Sequence, residues 1–168
     1  MNIVLVLLRL LHIVSAVSWL AIGGTLTFFV APSAVAAGES GYRYLKTLFT
    51  RTAFTRAIPM VAGTTTLAGI LLYIVGNASS HFSQTGNMVL GIGAAAGLIA
   101  TIHGGAITDR ATKALSTALA NLPDNAQSIA AATLTELNGL AATLLSHSRI
   151  SMVLMVVALV CMGSARYL

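Results

Sequence analysis

The chain has 168 residues, of which 57% are hydrophobic and 8% charged, with a mean hydropathy of +0.88. Soluble domains carry about 25% charged residues, so this composition excludes a water-soluble protein and fits one integral membrane domain over 1–168. The net charge of +5 does not mark a nucleic-acid binder, because the nine basic residues are scattered and no Lys/Arg cluster with interleaved aromatics occurs. The single cysteine, Cys161, excludes an intrachain disulfide.

The first apolar run covers Leu5–Val30 and is expected to end before Pro32. Ala34-Val35-Ala36 mimics a signal-peptidase site. However, no Lys or Arg precedes Arg9, and the run from Leu10 to Ala31 exceeds the usual ~7–15 residues, so a retained helix is expected. Residues 40–56 mix Tyr and Phe with Arg and Lys. That pattern suits an interfacial helix lying on the bilayer, but an ordinary anchor at the membrane edge is the preferred reading. No Asp, Glu, Lys or Arg occurs between Ala57 and Thr108. This stretch is too long for one crossing. A turn-rich polar segment at 76–87 divides it into spans at about 57–75 and 88–108.

Residues 109–149 read as a helical hairpin. The third span continues through Lys113, Leu115 and Leu119 and breaks at Asn121-Leu122-Pro123-Asp124-Asn125. Asp124 with Gln127 has the form of a capping box, and Leu134, Leu137, Ala141, Leu144 and Leu145 give the next helix an apolar face. A fourth span follows at about 150–168. The expectation is an all-α fold: a bundle of four transmembrane helices with a cytoplasmic helical hairpin between spans three and four. Loops 31–56 and 109–149 hold seven basic residues, against Arg9 and Arg166 on the other side. The positive-inside rule puts both loops in the cytoplasm and both termini outside.

Within the first span, Arg9, His12, Ala16, Trp19, Gly23 and Thr27 share one helix face about 80° wide. Ionisable groups at membrane depth are costly, and a neutral imidazole there can ligate a metal. His12 is therefore a candidate ligand, with hydrogen bonding to a neighbouring helix as the plainer alternative. Arg9, one turn away, can meet a haem propionate or snorkel to the surface. Trp19 lies deep enough to pack against protein or ligand. His103 flanks a small-residue seam of Gly93, Gly97, Ala100 and Gly104, where an axial-ligand role competes with an interhelical hydrogen bond.

Counted from the ends of their spans, His12 and His103 differ in depth by roughly 20 Å, too far for one iron. Two sites follow: an outer one at His12 near His81 and Met88, and an inner one at His103 near Met60 and His147. Met152, Met155 and Met162 share a face of the fourth span and read as packing, although thioethers also suit copper(I). Asn77-Ala78-Ser79 matches a glycosylation acceptor only formally.

Arg9-Leu10-Leu11-His12, then Trp19, then Gly23-Gly24 resembles the opening of a bacterial superfamily of small four-helix membrane proteins. That superfamily includes CopD-type copper-resistance proteins, HemJ-type protoporphyrinogen oxidases and uncharacterised relatives. Pro59 followed by Thr64-Thr65-Thr66-Leu67-Ala68-Gly69 is similar to its Pro…Thr…Gly helix, and the ending around Ala158–Tyr167 is similar to the last helix of the uncharacterised relatives. The resemblance implies that His12 contributes to binding haem b or copper. The chain lacks the Lys near span three and the Leu-Pro-Arg after the first Trp that mark HemJ-type proteins, and CopD-type carriers are larger.

The leading expectation is a bacterial cytoplasmic-membrane protein that binds b-type haem or acts as a redox component through His12, with Arg9 on a propionate and Trp19 as a wall. The alternatives are copper handling with His12, Met88 and His81, or a cofactor-free accessory subunit. Such a subunit would dock on a homo-oligomer or larger complex through Gly/Ala helix faces.

Overall fold

The computed structural model describes residues 3–75, 85–124 and 128–168, which fold into five helices without a strand among them. They are α1 (Ile3–Ala36), α2 (Glu39–Arg51), α3 (Phe54–Val75), α4 (Thr85–Ala120) and α5 (Ala131–Ser164, closing in a 3-10 turn at Ala165–Tyr167). All but α2 are long and apolar enough to cross a membrane. The polar segment 76–87 lies largely outside the described residues, as do Asn77, His81 and Gln127.

Three helices are longer than a crossing needs. The 34, 36 and 37 residues of α1, α4 and α5 reach about 50–55 Å at 1.5 Å per residue, against a hydrocarbon core of about 30 Å. Their surplus length gathers at one end into a head. There Leu26, Ala31 and Ala34 of α1 meet Tyr42, Leu45 and Phe49 of α2, Ala111, Leu115 and Leu119 of α4, and Leu137, Ala141 and Leu144 of α5. Tyr42, Leu45, Leu115, Leu119, Leu137 and Leu144 are almost completely buried.

Several expectations shift. Pro32 does not end the first helix. The ladder widens into a π-turn over Leu26–Val30, with Ala31 N–H donating to Leu26 O, and the helix resumes at Ala31. The wider turn moves the backbone ahead of Pro32 off α-helical register, where the ring would otherwise meet the carbonyl four residues back. Residues 40–56 do not form a helix with a free apolar face, because α2 buries Tyr42, Leu45 and Phe49 in protein. The second hairpin helix does not start at an Asp124 cap. It begins at Ala131 with no capping side chain, and runs unbroken into the fourth span.

Polar contacts fasten α2. Gly38 turns the corner from α1 at φ +61°, a conformation that suits a residue without Cβ. Just beyond it, Gly41 lies directly on the Ala34 backbone, where any side chain would collide. Tyr42 Oη donates to Asn138 Oδ1 at 2.6 Å, and burial pushes the Tyr42 phenol up. Lys46 bonds the Leu122 carbonyl and the Asp124 carboxylate, and the Lys46 ammonium holds the Asp124 carboxyl below its usual range. Arg43 does the same for Glu39 at 2.9 Å.

In the apolar half the helices associate as two antiparallel pairs. α1 lies on α3, with His12 against Thr65 and Gly69, and Trp19 and Leu20 near Ile58, Val61 and Ala62. α4 lies on α5, where a Cβ on Gly93 would stand 2.9 Å from Met162 and 3.0 Å from Cys161. Thr66 Oγ1 and Thr101 Oγ1, 2.8 Å apart, link the pairs, as does Trp19.

Candidate functional site

His12 projects from α1 toward α3. Its Nδ1 is 2.8 Å from the Thr65 carbonyl oxygen. A carbonyl can only accept, so Nδ1 carries the proton and a neutral ring keeps its lone pair on Nε2. The ring fits because position 69 is glycine: a Cβ there would stand 2.9 Å from His12 Cε1. One turn earlier, Arg9 is exposed and makes no ion pair among the described residues. This part of the stripe is a half-buried imidazole with a fixed tautomer beside a free guanidinium.

Trp19 belongs elsewhere. It is buried with Ala100, Met152 and Met155, and its ring edge lies 4.0 Å from where a Gly104 Cβ would stand. Seven residues, about 10 Å of helix, separate it from His12. Gly23 serves the same packing, since a Cβ there would stand 2.8 Å from Met152 Cε.

His103 occupies the other pair. Its Nδ1 is 3.0 Å from Ser151 Oγ on α5, and that hydroxyl is 3.3 Å from Thr108 Oγ1. The His147 ring stands 5.7 Å from the His103 ring, centroid to centroid. His147 Nδ1 is buried and has no hydrogen-bond partner among the described residues. Directly after His103, α4 widens into a second π-turn at Gly104–Thr108. The structure thus brings His103 and His147 together, whereas His12 packs against Thr65 and Gly69 of α3.

The 20 Å depth difference is not found. His12 is level with Thr65, while its neighbour Thr66 bonds Thr101, two residues from His103. The histidines differ by one to two turns, roughly 10 Å or less. Val30 and Thr108 are not helix ends, because α1 and α4 run on into the head. What separates the sites is direction, His12 facing α3 and His103 facing α5. Neither Met60, 70% exposed, nor Met88, 52% exposed, turns inward to a histidine. Met152 and Met155 are buried packing groups.

Among the described residues, no group of three or more His, Cys, Asp or Glu side chains is placed to hold a metal. Sequence reasoning placed Thr65 and Gly69 in a helix motif without linking them to His12, and missed Ser151; the parts of all three depend on contacts between helices. No protein-family model, curated protein or solved structure matches the chain.

Proposed function

We propose that this is a bacterial cytoplasmic-membrane protein that binds b-type haem through His12 and serves as a membrane redox component. The observation that supports the reading is the bond from His12 Nδ1 to the Thr65 carbonyl. It fixes the tautomer that leaves Nε2 as ligand, and such an outer-shell acceptor is the usual partner of a ligating imidazole. Haem bound there supplies one-electron chemistry. Arg9 is exposed on the same face one turn away and offers a cation for a propionate. The resemblance of the Arg9-x-x-His12 and Trp19 pattern to the CopD- and HemJ-type superfamily points the same way.

A Soret band in the detergent-purified protein, lost in His12→Ala and kept in His103→Ala, is the expected result. A colourless protein from haem-replete cells overturns the reading, and copper(I) retained in its place favours copper handling. The proposed orientation puts loops 31–56 and 109–149 in the cytoplasm and both termini outside, supported by their seven of nine basic residues. Reporter fusions at residue 168 and at the Pro123 turn test it.

A second reading, an accessory subunit in a homo-oligomer or larger membrane complex, is favoured by Gly24, Gly63 and Gly105. Each has open space where its Cβ would be, and small residues on outer helix faces let a further helix approach closely. Co-purification of a stoichiometric partner without pigment would select it.

A further inference from the structure

The head and the apolar half meet on the α4–α5 face, where charge and greasy surface adjoin. On the apolar side Ile102, Ile107, Ile150 and Val153 are 41–68% exposed. On the head side stand Arg110 and Arg149, both exposed and in no ion pair among the described residues. Their neighbours are differently placed. Lys113 is bound to Asp109 at 2.6 Å, Lys46 and Arg51 to Asp124, and Arg43 to Glu39.

Between the two regions lies a cleft of about 320 Å3, lined by Ala106, Ile107, Arg110, Ala111, Thr143 and His147. Ala106 and Ile107 belong to the second π-turn, which re-aims the α4 backbone here. Thr143 donates its hydroxyl to Gly139 O within its own helix. The available polar group is therefore the Arg110 guanidinium; His147 contributes its ring to the lining, its Nδ1 being buried and without a hydrogen-bond partner among the described residues. The adjacent carboxylate, Asp109, is already neutralised by Lys113.

We propose that this cleft seats the phosphate of an anionic phospholipid headgroup. Arg110 supplies a planar fork that matches two phosphate oxygens. The small side chains of Ala106 and Ala111 leave room for the headgroup, and the exposed isoleucines continue as a bed for the acyl chains. Arg149 adds attraction to the same lipid surface. The site is independent of the haem reading, because it shares no residue with His12 and lies on the other helix pair.

The test is native mass spectrometry of the full-length protein in neutral detergent, titrated with phosphatidylglycerol, phosphatidylcholine or inorganic phosphate. Phosphatidylglycerol is expected to form a one-to-one adduct at lower concentration than phosphatidylcholine. Arg110→Gln is expected to raise the concentration for half occupancy about fivefold, the contribution of one juxtamembrane cation. Arg110→Lys should recover part of that, and Arg166→Gln, at the far end of α5, should change nothing. Ala106→Trp fills the cleft without altering charge and should also lose the adduct. Equal occupancy by phosphatidylcholine, or an unchanged Arg110→Gln, overturns the proposal. Saturation by inorganic phosphate with no lipid adduct overturns the lipid as the occupant.

Discussion

His12 and Gly69 are a matched pair across the α1–α3 contact: the imidazole edge lies where a side chain at position 69 would begin, 2.9 Å from Cε1. The glycine is what lets the ring reach the Thr65 carbonyl. Gly69→Ala should therefore push the ring aside and break that bond, at a cost of about 1–3 kcal/mol for overpacking. Thermal unfolding in detergent measures the loss, and any pigment held by His12 should fall with it. An alanine variant with unchanged stability and unchanged spectrum would falsify the pairing.

The α4–α5 seam gives a contrast within one helix. At Gly93 a Cβ would stand 2.9–3.2 Å from Met162, Cys161 and the Ala158 carbonyl, whereas at Gly97 the nearest atom is 3.9 Å away. Gly93→Ala is expected to destabilise by about 1–3 kcal/mol. Gly97→Ala should sit within about 0.5 kcal/mol of the parent. Midpoints of denaturant-driven unfolding in micelles rank the two.

The head should behave as a soluble-protein core. Leu115 is 1% exposed and Leu7 is 58% exposed. Leu115→Ala leaves a cavity and is expected to cost about 2–5 kcal/mol. Leu7→Ala, on an outward apolar face, should cost far less, and hydrogen exchange in α2 should rise only in the Leu115 variant.

Acid should loosen α2 before it touches the apolar half. Lys46 and Arg43 depress the carboxyl groups of Asp124 and Glu39 in the folded chain. Groups shifted in that direction contribute stability at neutral pH, and lose it as pH falls through the ordinary carboxylate range near 4 and below. Both carboxylates are solvent-accessible, so the effect is modest and salt-sensitive. Lowering pH from 6 to 3 should raise exchange in α2, and Asp124→Asn with Glu39→Gln should flatten that profile.

The four helices long and apolar enough to cross a membrane were legible because hydropathy over about 20 residues is a local property, and so was the apolar face at Leu137, Ala141 and Leu144. The ends were not. A π-turn lets Pro32 continue a helix, and the chain around Val30 and Thr108 carries no signal that the helix runs on. The burial of Tyr42 and Phe49 also escaped notice, because an aromatic, basic amphipathic helix has the same composition whether it rests on lipid or on three other helices. For the site, His12, Arg9 and His103 stood out as polar groups in an apolar run. Their partners are an ordinary carbonyl, a glycine and a serine, which gain meaning only across a helix contact.

The unbroken course of α5 has a mechanical consequence. Leu137, in the head core, and Met155, beneath Trp19, lie on one helix, about 27 Å apart along its axis. A rod of that kind has no joint between the head and the apolar half. A force that tips the head must swing the Met155 end as well, so anything gripping α2 has a lever on the packing around Trp19.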